Sequence, residues 1–171
     1  MKDCLDVINT RSSIRRFTDQ PLSDELIRQL AEAGLKAPTA TNKQEIHISV
    51  VRNDNPVQQE IGNDLNPEAA VSFFYNAPVT FYISADESFR WSPVDAGICV
   101  ENIHLAADAL GLGSVILGCM EKVLNGEKKQ SYAEKLAFPQ GYKYYIAVAV
   151  GYPDTEKKQH VINYDRDVTI L

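Results

Sequence analysis

The segment from Ser92 to Leu110 constrains this chain more than any other. It is rich in alanine, isoleucine, valine and leucine, and its polar residues are few: Asp95, Glu101, Asn102, His104 and Asp108. Ser92-Pro93 reads as an N-cap followed by proline at the first helical position, and Gly111 and Gly113 close the segment. A helix with so few polar residues has no broad face to give to water. The segment therefore predicts a helix buried in the middle of the protein.

Other elements follow from local signals. Asp3 to Thr10 carries Leu5, Val7 and Ile8 and reads as a short helix. Ser23 caps a second helix, with Asp24 and Glu25 at its positive end and Leu22 and Ile27 at staple spacing. Leu26, Leu30, Ala33 and Ala37 supply its apolar face, and Pro38 ends it. Val57–Leu65 and Gly126–Leu136 are further helices. Strands are predicted at Ile46–Val51, with Ile46, Ile48 and Val50 on one face, and at Val79–Ala85, Ser114–Leu117 and Tyr144–Val150. Gly151-Tyr152-Pro153 stops the last strand. The order is not a regular βαβ alternation, and no glycine-rich phosphate loop follows a strand, so a Rossmann site is unsupported. The class is α+β. A chain of 171 residues fits one domain, 1–171, whose tail 154–171 has little of its own to pack. Such a tail is either disordered or laid on a partner subunit.

Composition excludes several functions. A net charge of −6 argues against nucleic acid or an anionic membrane surface as partner. No apolar run reaches transmembrane length, and the first residues carry no signal-peptide core. Cys4, Cys99 and Cys119 are odd in number and widely spaced, without a CxxC pair. They predict neither a disulfide framework nor a zinc or iron–sulfur site, and a reducing cytoplasm is the simplest home.

Three short stretches can carry chemistry, and each also has a bland reading. Arg11, Ser12, Ser13 and Arg15 can surround a phosphate, since arginine offers bidentate charged bonds and serine neutral donors. Alone, they can equally be a solvated basic loop. Ala37 to Gln44 presents small and amide side chains that suit a planar heterocycle, or form an ordinary polar loop. Gly111 to Gly118 allows close backbone approach to a ligand, or is a helix cap and a buried strand. His104 and Asp108 lie one helical turn apart, but with no third ligand in register a satisfied helix histidine is expected. Cys119 is expected to be a buried, inert thiol. Tyr142, Tyr144, Tyr145 and Tyr152 are expected to pack at an interface.

Taken in order, these stretches resemble the nitroreductase family along almost the whole chain. Arg11-Ser12-Ser13-Ile14-Arg15-Arg16-Phe17 is similar to its R-x-S-x-R-x-F opening, and Glu32 to Gln44 to its A-x-x-A-P-S-x-x-N-x-Q segment. Asp95-Ala96-Gly97, Glu101-Asn102 and Leu110-Gly111-Leu112-Gly113 match its central helix. Pro139 to Tyr142 and Val148 to Pro153 match its last strand. The resemblance implies a central mixed, mostly antiparallel sheet flanked by helices, and a homodimer with flavin mononucleotide (FMN) at the interface. It implies that Arg11, Ser12, Ser13 and Arg15 hold the phosphate. It places Pro38, Thr39 and Asn42 on the ring and ribityl chain, and Ile116, Leu117 and Gly118 at the reactive edge. A basic tail residue, Lys157, Lys158 or Arg166, would join the phosphate. The implied activity passes electrons from NADH or NADPH through the flavin to a small-molecule acceptor such as a nitroaromatic or quinone. The alternative is a flavin-binding protein without nicotinamide-driven turnover. Two departures stand out: Gln44 is followed by Glu45-Ile46 where the family has Pro-Trp, and Gln58 to Phe74 offers no counterpart for a basic contact to the pyrimidine end.

Overall fold

Local capping chemistry sets most helix ends. In the computed structural model, which describes residues 3–66, 73–156 and 160–171, helix α1 (Cys4–Thr10) begins where the Asp3 carboxylate accepts from the Asp6 N–H at 2.9 Å. Helix α2 (Asp24–Leu35) begins at Ser23, whose hydroxyl accepts from the Leu26 N–H at 3.3 Å. Helix α3 (Pro56–Leu65) begins at Asn55, whose side chain accepts from the Val57 N–H at 3.0 Å. Such caps are each worth about 1 kcal/mol.

Helix α4 (Ser92–Ala109) departs from its expected cap. Trp91 is the cap residue, and Ser92 is already helical and fully buried. Its hydroxyl donates to the Asp86 carbonyl at 2.7 Å, an acceptor outside the helix. The expected helix Gly126–Leu136 is shortened to α6 (Lys129–Lys135), and a short helix that was not expected, α5 (Glu121–Leu124), precedes it. Between them the chain turns tightly at Gly126, where a Cβ would stand 2.3 Å from the Lys122 carbonyl oxygen. A last short helix, α7 (Tyr164–Asp167), lies in the tail.

Strands β1 (Ile46–Arg52), β2 (Val79–Asp86), β3 (Gly113–Leu117) and β4 (Tyr142–Gly151) form one sheet in the order β1-β2-β4-β3. Every pair of these strands is antiparallel, with a bulge between Ile83 and Ser84 against β4. The parallel component expected of a mixed sheet is reduced to a single bridge between Ser13 and Ser114. Alternation along the strands sends side chains to two faces. Phe81, Ile83, Val148 and Val150 meet Leu30 of α2 and Ala96, Cys99, Val100, Ile103 and Ala107 of α4. Tyr82, Ala147, Ala149, Val115 and Leu117 meet Ile61 of α3, Leu124 of α5 and Tyr132 of α6. Helices on both faces of an antiparallel sheet confirm the α+β class.

Two expectations are corrected. Tyr144 belongs to the core: it is buried, its hydroxyl donates to the Leu117 carbonyl at 2.9 Å, and its ring meets Tyr82 edge-on. Cys119 is exposed, because the chain leaves the sheet at Gly118. The tail behaves as its composition suggests: Val161, Ile162, Tyr164, Val168, Ile170 and Leu171 are all exposed. No helix among the described residues is long and apolar enough to cross a membrane.

Gly113 marks a close approach that positions the N-terminal loop. A Cβ there would stand 2.9 Å from Cβ, Cγ1 and Cγ2 of the buried Ile14, a branched centre that cannot swing aside. Gly113→Ala should therefore lower stability by about 1–3 kcal/mol, as overpacking does. Urea unfolding should show an earlier midpoint with an unchanged slope.

Candidate functional site

The basic loop follows α1 and lies along the free edge of β3. Its backbone is bonded at both ends: Ile14 N–H donates to the Ser114 carbonyl at 2.9 Å, and Thr18 N–H to the Tyr152 carbonyl at 2.9 Å. Ile14 and Phe17 turn inward as anchors, which leaves the polar residues between them facing out. Ser12, Ser13, Arg15 and Arg16 line a pocket of about 510 Å³ with Thr155 and Glu156 from the start of the tail. The Ser12 hydroxyl is buried there with no hydrogen-bond partner among the described residues. A buried polar atom left unpaired costs about 1–3 kcal/mol, so it marks a place where an acceptor belongs. Arg15 makes no ion pair among the described residues, whereas Arg16 is held by Asp154 at 3.1 Å. A serine donor and an uncommitted guanidinium fit a phosphate.

Arg11 is placed differently. It does not line this pocket; its Nη1 lies 2.9 Å from His104 Nε2 and its Nε 3.3 Å from Glu101 Oε1, both on α4. One residue earlier, the Thr10 hydroxyl donates to Asp108 Oδ2 at 2.8 Å. The histidine expected to be satisfied is so, with Ser114 Oγ on its Nδ1 as well. Its link to the basic loop was not anticipated. The signal that could have found it is the helical spacing of Glu101, His104 and Asp108 on an otherwise apolar helix.

The second loop turns sharply. Thr41, Asn42 and Gln44 have φ of 56°, 54° and 55°, in the left-handed region that non-glycine residues seldom visit. Several bonds support them, among them Gln44 N–H to Thr39 Oγ1 at 2.9 Å and Ala40 N–H to Asp95 Oδ2 of α4 at 3.0 Å. Pro38, Thr39, Asn42 and Gln44 line a second pocket of about 590 Å³ with residues from the end of α2. The two pockets share no residue. The third predicted stretch ends at the sheet edge. Leu117 is buried and Ile116 half-buried, while Gly118 is exposed, and a Cβ there would meet nothing within 4 Å among the described residues. Of the tail cations, Arg166 stands exposed on α7 and pairs with Asp167 at 2.5 Å, away from the loop pocket. Lys157 and Lys158 lie outside the described residues.

Glu45, the departure from the family pattern, is buried beside Asp95, also buried, at the start of α4. Its Oε1 lies 3.5 Å from the Ser92 hydroxyl, and its Oε2 has no hydrogen-bond partner. Loss of water, then the hydrogen bond and like charge of Asp95, push its carboxyl above the usual range; a backbone bond and Lys43 pull the other way. A folded pKa raised above the unfolded one means stability that is complete at low pH and lost as pH rises through the folded value. Glu45→Gln removes that loss. Its melting temperature should exceed the parent's at pH 8, and the gap should close near pH 4.

The nitroreductase family model matches residues 8–152. An FMN-bound nitroreductase structure from Desulfitobacterium hafniense superposes with a TM-score of 0.87 at 29% identity, covering 100% of both chains. An FMN-dependent nitroreductase from Clostridium difficile gives 0.86 at 30%, covering 99% of both. The NADPH-flavin oxidoreductase of Vibrio harveyi is 28% identical over 166 residues, 90% of this chain and 67% of that protein. With the family model spanning most of the sequence, and the fold shared from end to end, this chain belongs to the nitroreductase family.

Proposed function

We infer that this protein is an FMN-dependent oxidoreductase that draws electrons from NAD(P)H and delivers them to a small acceptor such as a nitroaromatic or quinone. The observation that carries the reading is the buried Ser12 hydroxyl and the Arg15 guanidinium, neither with a partner among the described residues, in a chain of net charge −6. An acidic protein keeps such a cationic pocket for an anion, and relatives of the same length and fold hold FMN. Ser12, Ser13 and Arg15, with Arg11 at the head of the loop, hold the phosphate. Pro38, Thr39 and Asn42 contact the ring and ribityl chain, and Ile116, Leu117 and Gly118 leave room for the ring edge. FMN, when bound, supplies the chemistry: it takes hydride from the nicotinamide and gives electrons to the acceptor. The chain's residues bind and orient; none has to act as acid or base.

The active unit is a homodimer of one-domain protomers, each spanning residues 1–171. The support is that the phosphate pocket and the Pro38–Gln44 pocket are built from different segments and share no residue, so a second copy is the way to bring both to one flavin. The exposed apolar residues of the tail, and Leu5 and Ile8 on α1, supply surface for that contact. Arg166, or Lys157 or Lys158, reaches the phosphate once the tail is laid on the partner. Three free cysteines suit a reducing cytoplasm.

The purified protein should be yellow and should bleach under anaerobic NADPH; a yellow protein that NADPH and NADH leave unchanged would favour flavin binding without turnover. Each charged contact to the phosphate is worth about 1.5–3 kcal/mol, so the Arg11→Ala, Arg15→Ala double variant should lose at least about tenfold in FMN affinity. An unchanged affinity would remove the phosphate assignment. Deletion of residues 160–171 should lower both the dimer fraction in sedimentation and the absorbance of the flavin band. A truncated protein that stays dimeric and fully yellow would show the tail to be a solvated extension.

A further inference from the structure

Among the proposed phosphate ligands of the basic loop, Arg11 has its guanidinium held by groups of α4, and the nature of those groups matters. Glu101 meets its Nε at 3.3 Å and is itself partly exposed. A carboxylate orients a guanidinium but also offsets its charge. His104 meets Nη1 at 2.9 Å and is 1% exposed. A guanidinium nitrogen only donates, so His104 Nε2 must accept. The ring is then neutral with its proton on Nδ1, and that N–H donates to Ser114 Oγ. Ser114 is also the residue whose carbonyl receives the Ile14 N–H, so one strand position steadies both the loop and the ring. The ring's charged neighbours among the described residues include Glu101 and Asp108, a turn before and a turn after it on α4, and Arg11 on the loop.

We propose that His104 is a positioning residue for the flavin phosphate: a buried neutral imidazole, locked in one tautomer by Ser114, that aims Arg11 without cancelling its charge. A guanidinium has five N–H donors, and the two contacts to α4 occupy two of them, which leaves three for an anion. Glu101 and His104, both on α4, hold the group at two of its nitrogens, so the remaining donors are held in a fixed direction. A lysine-like or unheld cation in the same place would keep the attraction and lose the direction. The inference rests on the reading of the Arg11–Arg15 loop as the phosphate site.

The test separates the two ring nitrogens and the two ligands. Asparagine places its amide near the Nδ1 position, glutamine near the Nε2 position. Dissociation constants for FMN and for riboflavin, which lacks the phosphate, are measured by fluorescence on full-length protein freed of flavin. Arg11→Ala should weaken FMN by at least about tenfold and leave riboflavin unchanged. His104→Asn, which keeps the Ser114 side and loses the acceptor for Arg11, should weaken FMN by about threefold to tenfold, again without effect on riboflavin. His104→Gln, which restores an acceptor for Arg11, should stay within about twofold of the parent, on the ground that it keeps that hydrogen bond. Added to Arg11→Ala, His104→Asn should cost nothing more. If His104→Asn does not fold, Ser114→Ala, which unlocks the tautomer and spares the ring, should weaken FMN and not riboflavin. FMN affinity untouched by His104→Asn, or by Ser114→Ala in its place, would overturn the proposal while a damaging Arg11→Ala upheld the phosphate site. His104→Gln as weak as His104→Asn, or equal losses for riboflavin, would reduce His104 to packing. An Arg11→Ala variant with parental FMN affinity would overturn the phosphate reading of Arg11 and this proposal with it.

Discussion

Burial of α4 against the sheet is the constraint on which the rest depends. Its buried apolar residues close one side of the core against β2 and β4, and α2 covers it from outside. Only one face of α4 is buried, since Val94 is exposed and Ile98, Glu101, Asn102 and Leu105 are half-buried, but that face holds Asp95, His104 and Asp108, which cannot stay unpaired without cost. Its polar side chains therefore have to find partners, and these come from loops and from the neighbouring helices and strands. Asp95 takes the Ala40 N–H, His104 meets Arg11, and Asp108 takes the Thr10 hydroxyl. The same element thus packs the core with one set of residues and holds both candidate ligand loops with another. Misplacing α4 would release the Arg11–Arg15 loop and the Pro38–Gln44 loop together.

Charge is arranged on the same plan. The chain is acidic, yet cations gather on one loop. Their fates diverge: Arg16 is neutralised by Asp154, Arg11 is shared between a carboxylate and an imidazole, and Arg15 has no ion pair among the described residues. Exposed ion pairs contribute little to stability, at about 0–1 kcal/mol, so the Arg16–Asp154 contact is better viewed as a stitch between loop and tail. It accompanies the bond from Asp154 N–H to the Arg16 carbonyl and the bridge between Phe17 and Pro153. These contacts bring Thr155 and Glu156 into the pocket, so the beginning of the tail belongs to the site.

Glu45 gives this chain a character of its own. Where the family has a proline, an acid is buried against the first turn of α4, next to the loop that turns through Thr41, Asn42 and Gln44. An unpaired oxygen and a neighbouring carboxylate make this a costly position. Left-handed residues, themselves costing about 1–3 kcal/mol each, lie directly before it. Strain and desolvation are thus concentrated in the loop assigned to the flavin ring, the part of a fold where binding energy can repay them.

Much of this was legible along the chain because it depends on near neighbours. The cap at Ser23, the strand alternation at Ile46 and Ile48, and the apolar run of α4 are local signals, and the elements stand where those signals put them. The ordered motifs named the family for the same reason: each is contiguous in sequence. What failed were features that depend on contacts distant in sequence. Ser92 stands inside the helix, its hydroxyl bonded to the Asp86 carbonyl; Tyr144 became core because β4 lies inside the sheet; Cys119 was exposed because β3 ends at its edge. The partners of Arg11 lie 90 and 93 positions away on α4, a separation no periodicity can bridge. By itself, then, the sequence determined the element types, the class and the candidate residues for chemistry, since these follow from short-range sterics, capping and hydrophobic period. Only the tertiary structure decided which of those residues meet, because hydrogen bonds and burial act over a few ångströms in space and are indifferent to distance along the chain.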